Sequence, residues 1–268
     1  LAQVAAECLG CELDDIVVFG SDTDISPYDS GSYASSTAYL TGTAVVKTCE
    51  ALKEKILHKA AKYLETGVEE LEFDGKRVYK LACEADGTRK EITIKDLANR
   101  VQCANEDALQ VTQSHSSPIS PPPFMAGAAE VEVDLETGQV ELIKFAAAVD
   151  CGTPLNENLA RVQTEGGLVQ GIGMALYEDV SYSKDGKVHE NSFMQYKVPS
   201  RLDVGRVQVE FESSFEPTGP FGAKSIGEVV INTPSPAIAN AVYNAVGVRI
   251  RELPITAEKV FKGMNGLD

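Results

Sequence analysis

The run Ser116-Ser-Pro-Ile-Ser-Pro-Pro-Pro123 limits what this chain can fold into more than any other feature. Each proline removes a backbone N–H and locks φ, so neither a helix interior nor a central strand can pass through the run. The segment reads as an extended connector. It divides the 268 residues into a first α+β subdomain, 1–115, and a second, 116–268. A chain of this length can bury a substantial core without disulfides or metals as staples.

Upstream of the connector, residues 2–9 read as a helix stopped by Gly10, and Ile16-Val17-Val18-Phe19 as a short apolar strand. A loop dense in Ser, Thr, Asp and Gly follows, over 20–33. From about Ser35 to Leu64 the spacing predicts a helix ended by Gly67, with Ala44, Val45, Leu52, Ile56, Leu57, Ala60 and Leu64 on its buried stripe. Leu71 to Leu81 alternates around Asp74-Gly75, a hairpin signal. Ile92 to Val101 reads as a strand and then a helix.

Downstream, Val131, Val133 and Leu135 alternate toward a turn at Glu136-Thr-Gly138, and Val140 to Val149 returns as the partner strand. A helix is expected over Asn156–Leu176 and a strand at Val207, Val209 and Phe211. Pro234 and Pro236 open a helix over Ala237–Val246, and Thr256–Phe261 forms a last short one. Strands and helices mix without a βαβ rhythm, so the expected class is α+β, mixed sheets with packed helices.

Charge excludes some partners. Lys and Arg total 24 against 40 Asp and Glu, a net −16 that repels nucleic-acid backbones and anionic membrane surfaces. No apolar run reaches the ~20 residues that cross a bilayer. The first ten residues carry Glu7 and no basic stretch, unlike a signal peptide, and a cytoplasmic setting is expected. The chain opens on Leu1 rather than Met. Six cysteines, at 8, 11, 49, 83, 103 and 151, are expected as reduced thiols, most of them buried. Only Cys8-x-x-Cys11 has metal-like or redox-like spacing, and no second CxxC completes a set.

Several familiar motifs fail. Gly171-Ile-Gly173 lies within a helix and lacks a third glycine at 176, so it is no dinucleotide fingerprint. Gly222-Ala-Lys224-Ser225 separates glycine from lysine, unlike a phosphate loop. His58, His115 and His189 are scattered, with no HExxH pair, so a histidine zinc site is not expected.

Three segments carry more. Gly31-Ser-Tyr-Ala-Ser-Ser-Thr37 puts hydroxyls and N–H groups at a helix entrance, which suits either N-capping or a polar-ligand cradle. Gln163 to Gly173 holds glycines 166, 167, 171 and 173, each costing about 1 kcal/mol in a helix relative to alanine. Close packing by another helix explains that best, and a cofactor lying against the helix is the other reading. Gly219 to Pro236 places Glu228 after a glycine-rich turn and before three apolar residues. Burial there would raise its pKa toward that of a general base, whereas a surface glutamate is the plain alternative.

Together these segments resemble the molybdenum-binding large subunit of the xanthine dehydrogenase family of molybdenum hydroxylases. Asp22-Thr-Asp-Ile-Ser-Pro-Tyr28 with Gly31 to Thr37 is similar to the family's active-site and pterin loop. Gly127 to Asp134 through Val149-Asp-Cys-Gly-Thr-Pro-Leu-Asn156 resembles its hairpin and turn, Gln163 to Gly173 its pterin-contacting helix, and Gly222 to Glu228 its catalytic-glutamate loop. The resemblance runs from residue 1 to about 262 and covers the C-terminal half of the family's subunit. The preceding half, including the GQG motif, is absent.

The resemblance implies a molybdopterin-binding domain of the xanthine dehydrogenase/aldehyde oxidase type. It implies a molybdopterin-type molybdenum cofactor held through its pterin, with Gln163, Ser35, Thr37, Gly166 and Lys224 as contacts. Tyr33 and Ala34 would border the substrate, and Glu228 would be the base in hydroxylation of a heteroaromatic or aldehyde substrate with oxygen from water. Bacterial relatives usually carry a cytosine dinucleotide form of the cofactor, but many have Ser-Arg where this chain has Ser35-Ser36. Expected partners are the N-terminal half of the molybdenum subunit and iron–sulfur and FAD subunits. An unusually apolar exposed face is expected where the missing half would pack. Two alternatives are a catalytically inert assembly relative and an isolated fragment without cofactor.

Overall fold

The computed structural model describes residues 1–267. Asp268, the last residue of the expected second subdomain, lies outside the described residues. The chain forms two compact units. One holds Leu1–Tyr33, Thr37–Ser120 and Thr218–Pro220; the other holds Ala34–Ser36, Pro121–Pro217 and the chain from Phe221 onward. The class is α+β.

In the first unit, α1 (Ala2–Leu9) ends at Gly10, whose left-handed φ of 72° lets its N–H close on the Ala6 carbonyl. Helix α2 (Thr37–Leu64) follows. Its C-terminal half lays Ile56, Ala60 and Leu64 on Leu71, Val78, Ile92, Leu97 and Val101. These come from the antiparallel sheet β1 (Leu71–Phe73), β2 (Arg77–Lys80) and β3 (Glu91–Thr93), and from α3 (Ile94–Cys103). The β1–β2 turn forms at Asp74-Gly75, where the Asp74 carboxylate accepts the N–H groups of Lys76 and Arg77. Thr93 caps α3 by accepting the Asp96 N–H at 3.1 Å.

Three local expectations change. Ile16 to Phe19 forms no strand: among the described residues no partner strand pairs with it, and Val17, Val18 and Phe19 are exposed. In α2 the buried positions of the first half are Tyr39, Gly42 and Cys49, while Ala44 and Val45 are half-buried. Glu65, with φ 55°, and not Gly67, turns the chain at the end of α2. Beyond it, Glu106 anchors the α3 exit to α2, accepting from Lys59, Lys62 and the Tyr63 hydroxyl.

In the second unit, β4 (Phe124–Val133) and β5 (Val140–Asp150) form the expected hairpin, with a bulge at Glu130/Val131. The sheet adds β6 (Arg206–Phe211), which runs parallel to β5. That pairing needs a crossover, and α4 (Glu157–Leu176) lies in it, so the described residues contain a βαβ connection where no βαβ rhythm was expected. Leu135 sits beyond β4 and is exposed rather than continuing the alternation. Helices α5 (Val229–Asn232), α6 (Pro234–Val246) and α7 (Ala257–Met264) follow. Phe145, Val149, Leu168, Ile172, Val209, Val230, Ile238 and Val242 form the core.

Two of the α4 glycines are explained by this packing. A β-carbon at Gly171 would stand 2.7 Å from Pro234 Cγ and 2.8 Å from the Ile231 carbonyl oxygen, and one at Gly167 would collide with Val230. Of the cysteines, Cys49 and Cys151 are buried, Cys8 and Cys11 half-buried, and Cys83 and Cys103 exposed, fewer buried than composition suggests. Among the described residues no helix is long and apolar enough to cross a membrane.

Two predictions follow from this packing. Gly171→Ala should lower stability by about 1–3 kcal/mol in urea denaturation, because the Ile231 backbone cannot swing aside as a side chain would. Hydrogen bonds from Lys59 and Lys62, then Tyr63, hold the Glu106 carboxyl at about 2 against an ordinary 4.5. A depressed folded pKa stabilises above the unfolded value and is lost as pH falls through the folded one. Stability should therefore drop as pH falls from 4.5 toward about 2. Glu106→Gln should lose that increment above the window and flatten the profile within it, as read from urea midpoints at several pH values.

Candidate functional site

The second unit brings the glycine-rich turn onto the end of β5. Gly152 pairs with Ala223 in an isolated bridge, Thr153 N–H donates to the Gly222 carbonyl, and Lys224 N–H to the Cys151 carbonyl, both at 2.8 Å. A β-carbon at Gly152, whose φ is 69°, would collide with the Gly222 carbonyl. Beneath this stitch the Lys224 ammonium donates to Asp150 Oδ2 at 2.7 Å, with its side chain only 7% exposed. Asp150 Oδ1 accepts from the Ser214 hydroxyl at 2.6 Å and from Gly152 N–H at 2.9 Å. Burial pushes the Asp150 carboxyl up, but Lys224, Ser214 and the Gly152 N–H together hold it below its ordinary range.

Lys224, expected as a cofactor contact, is the residue that makes this pair. Its ammonium is held in a part-buried ion pair that fixes the turn.

Three residues further on, the turn meets two other segments. A β-carbon at Gly227 would stand 2.7 Å from Ser35 Oγ and 3.6 Å from Gln163 Nε2. Ser35 comes from the hydroxyl-rich loop, Gln163 from α4 and Gly227 from the glycine-rich turn, so the structure joins all three singled-out segments at one point. Glu228 is the next residue and immediately precedes α5. It is exposed, not buried as its apolar flanks suggested. Helical geometry gives the reason: Val230, two positions on, points into the core and fills the space over Gly167, so Glu228 points away from it.

The Ser35 loop is bent in an uncommon way. Ala34 and Ser35 both hold positive φ, 49° and 54°, and Phe221 does the same at 53° before Gly222 at 86°. Left-handed backbone costs a non-glycine residue about 1–2 kcal/mol. Such conformations gather where a loop shape serves a site.

On α4 the outward face carries Gln163 and Gly166, flanked by exposed Leu159, Val162 and Met174. Gly166 differs from its neighbours Gly167 and Gly171: a β-carbon there would meet nothing within 4 Å. Packing within the chain does not require this glycine, so a helix position that costs about 1 kcal/mol faces open space.

Tyr33 and Thr37 belong to the first unit, and both are exposed, Thr37 as the opening residue of α2. Sequence reasoning passed over Gly227, Asp150 and Ser214. Gly227 carried the signal of a glycine beside a candidate base, whereas the Asp150–Lys224–Ser214 set spans 74 residues of chain and leaves no local pattern. Among the described residues no group of three or more His, Cys, Asp or Glu is placed to hold a metal ion.

Comparison with known proteins bears on this site. Residues 1–205 match the family model described as a molybdopterin cofactor-binding domain. A "Probable hypoxanthine oxidase" of Escherichia coli (strain K12) is 34% identical over 98% of this chain and 27% of its own length. The "Xanthine dehydrogenase molybdenum-binding subunit" of Escherichia coli O157:H7 is 31% identical over 97% of this chain and 35% of its own. The structure of reconstituted CO dehydrogenase from Oligotropha carboxidovorans superposes with a TM-score of 0.84 at 28% identity, covering 99% of this chain and 33% of that one. The chain thus spans about a quarter to a third of the proteins it matches. It belongs to the molybdopterin cofactor-binding domain family, and the relatives it resembles include a xanthine dehydrogenase molybdenum-binding subunit.

Proposed function

We propose that this chain is the part of a molybdenum hydroxylase that holds the pterin of the cofactor and supplies the base, acting on a heteroaromatic, purine-like or aldehyde substrate with oxygen from water. One observation carries the reading: Ser35, Gln163 and the Gly227-Glu228 turn converge in a family that binds molybdopterin, beside a helix glycine that faces open space. The residues fit such a group. Gly166 leaves room for a flat ring system to lie against α4, and the Gln163 amide and Ser35 hydroxyl offer donors and acceptors beside it. The hydroxyl of Thr37, at the start of α2, adds a further contact, and Tyr33 and Ala34 border the substrate.

When bound, the cofactor supplies two-electron redox chemistry that no side chain of this chain provides. The protein's part is positioning and proton transfer. Glu228, on the residue after Gly227, accepts the proton of the water that furnishes the product's oxygen. Val230 and the Asp150–Lys224 pair act at a distance from the chemistry by fixing the turn that carries Glu228.

Relatives named as a molybdenum-binding subunit and as one subunit of a dehydrogenase complex support a multi-chain assembly. We place the rest of the molybdenum subunit and iron–sulfur and FAD subunits as its partners, and the cytosine dinucleotide as the cofactor's form. Exposed Val17, Phe19 and Tyr28 in the first unit, and Phe193, Met194 and Leu202 in the second, are surface that a partner polypeptide would cover.

In the assembled enzyme, Glu228→Gln should cut turnover by about 10²–10⁴-fold with molybdenum content unchanged, the range expected when a positioned base is lost. Near-normal turnover would remove Glu228 from the role. Gly166→Ala separates ligand from fold: it should leave stability equal or raise it by about 1 kcal/mol. The same variant should lower molybdenum retained per assembled enzyme, as measured by elemental analysis.

A further inference from the structure

Between α3 and the proline run the chain has no regular structure, yet it is tied along most of the length of α2. Glu106 accepts from Lys59 and Lys62, Asp107 pairs with Lys55, and the Gln110 carbonyl accepts from Lys55 at 3.1 Å. Further on, Lys47 donates to His115 Nδ1 at 2.9 Å, and the Tyr39 and Ser117 hydroxyls share a hydrogen bond of 3.1 Å. The partners on α2 descend from 62 to 39 while those on the segment rise from 106 to 117, so it runs antiparallel to the helix. From Tyr39 to Lys62 the helix rises about 34 Å at 1.5 Å per residue. Fully extended chain from Glu106 to Ser117 reaches about 36–40 Å. Residues 106–117 are therefore a strap held close to full extension. Leu109, Val111, His115 and Ser117 are half-buried, whereas Thr112, Gln113, Ser114 and Ser116 are exposed. Among the described residues no backbone–backbone hydrogen bond holds 111–117, so this far half depends on its side-chain contacts with α2.

The two ends of the strap differ in chemistry. The near end is held by carboxylates paired with lysines. At the far end an ammonium donates to a ring nitrogen, which accepts only while it carries no proton, so the ring proton sits on Nε2. That Nε2 is buried and has no hydrogen-bond partner. A proton added at Nδ1 would face the Lys47 ammonium donor against donor, with like charges in contact. Nothing nearby offsets that repulsion. Residues 108–120 carry no charge apart from His115, and neither do Thr218–Pro220, which meet α2 at Tyr39 and Gly42. Among the described residues, Glu50 of α2 and Glu7 of α1 form no ion pair with Lys47 or His115, and Lys47 is the charge that acts on the ring.

We propose that His115 is a proton-operated latch: uptake of one proton by its ring releases residues 111–117 from α2, while the Glu106–Asp107 end stays tied. Burial and then Lys47 hold the imidazole of the closed strap below its ordinary 6.5. The open strap thus binds the proton more tightly. Closure is held in full above 6.5 and is lost as pH falls from there through the closed-strap value. The near end outlasts this step, since the Glu106 carboxyl stays ionised down to about 2. The released residues lead straight into the proline run, so pH sets how much free chain precedes it.

The test is an NMR titration of the full, isotopically labelled chain between about pH 7 and about pH 5. His58 and His189 are exposed and serve as internal references. His115 should titrate below both. Over the same range the heteronuclear NOE of residues 111–117 should fall to that of loose chain, while residues 104–107 keep theirs. His115→Gln takes up no proton in this range and should show no change in NOE across it. Lys47→Met removes the like charge and should raise the His115 midpoint toward 6.5. An unchanged NOE at 111–117 in the native chain overturns the proposal, as does a His115 midpoint at or above those of the references. A loss of order that persists in His115→Gln, or a midpoint unmoved in Lys47→Met, does so too. The native titration decides by itself, since it depends on no variant folding.

Discussion

Two positions without a side chain, Gly167 and Gly171, let α4 approach α5 and α6 more closely than any β-carbon would allow. Val230 occupies the space above Gly167, and Pro234 and the Ile231 carbonyl close on Gly171. The placement of the candidate site depends on this approach. Gln163 lies one turn before Gly167 on the same helix, and Glu228 lies two residues before Val230 on the segment packed against it. Fixing the helices against each other therefore fixes where an amide and a carboxylate leave the protein surface. Interiors packed at crystal-like density transmit such positions with little slack.

A second layer of order comes from the loops. The Asp150–Lys224 pair, with Ser214, holds the turn upstream of Glu228 to the end of β5. The two left-handed residues Ala34 and Ser35 bring a hydroxyl against Gly227, and a side chain on residue 227 would displace it. Strain in one loop and a missing side chain in another are complementary features of a single contact.

Legibility followed the range of the interactions. The β4–β5 hairpin could be read because Asp134 to Gly138 is a local turn between alternating strands, and α4 because Asn156 caps a long helical stretch. The parallel pairing of β6 with β5 could not, since nothing local in Val207 to Phe211 says which strand it will join. Glu228 stands out in the sequence, but its exposure does not: apolar neighbours in sequence become opposite faces once the chain turns helical. Ile16 to Phe19 had the composition of a strand without a partner to complete it. The left-handed backbone at Ala34 and Ser35 was invisible because neither residue type announces it, whereas glycine would have.

The parallel strand also bears on where the folding unit ends. The family match stops at residue 205, one residue before β6 begins. A chain cut at that boundary would keep β5 but bare the edge that β6 covers, leaving a row of unpaired peptide groups open to neighbouring molecules. It would also lose Val230, and with it the plug above Gly167. The stretch marked by ancestry and the stretch able to stand as a cooperative whole are thus different lengths of polypeptide.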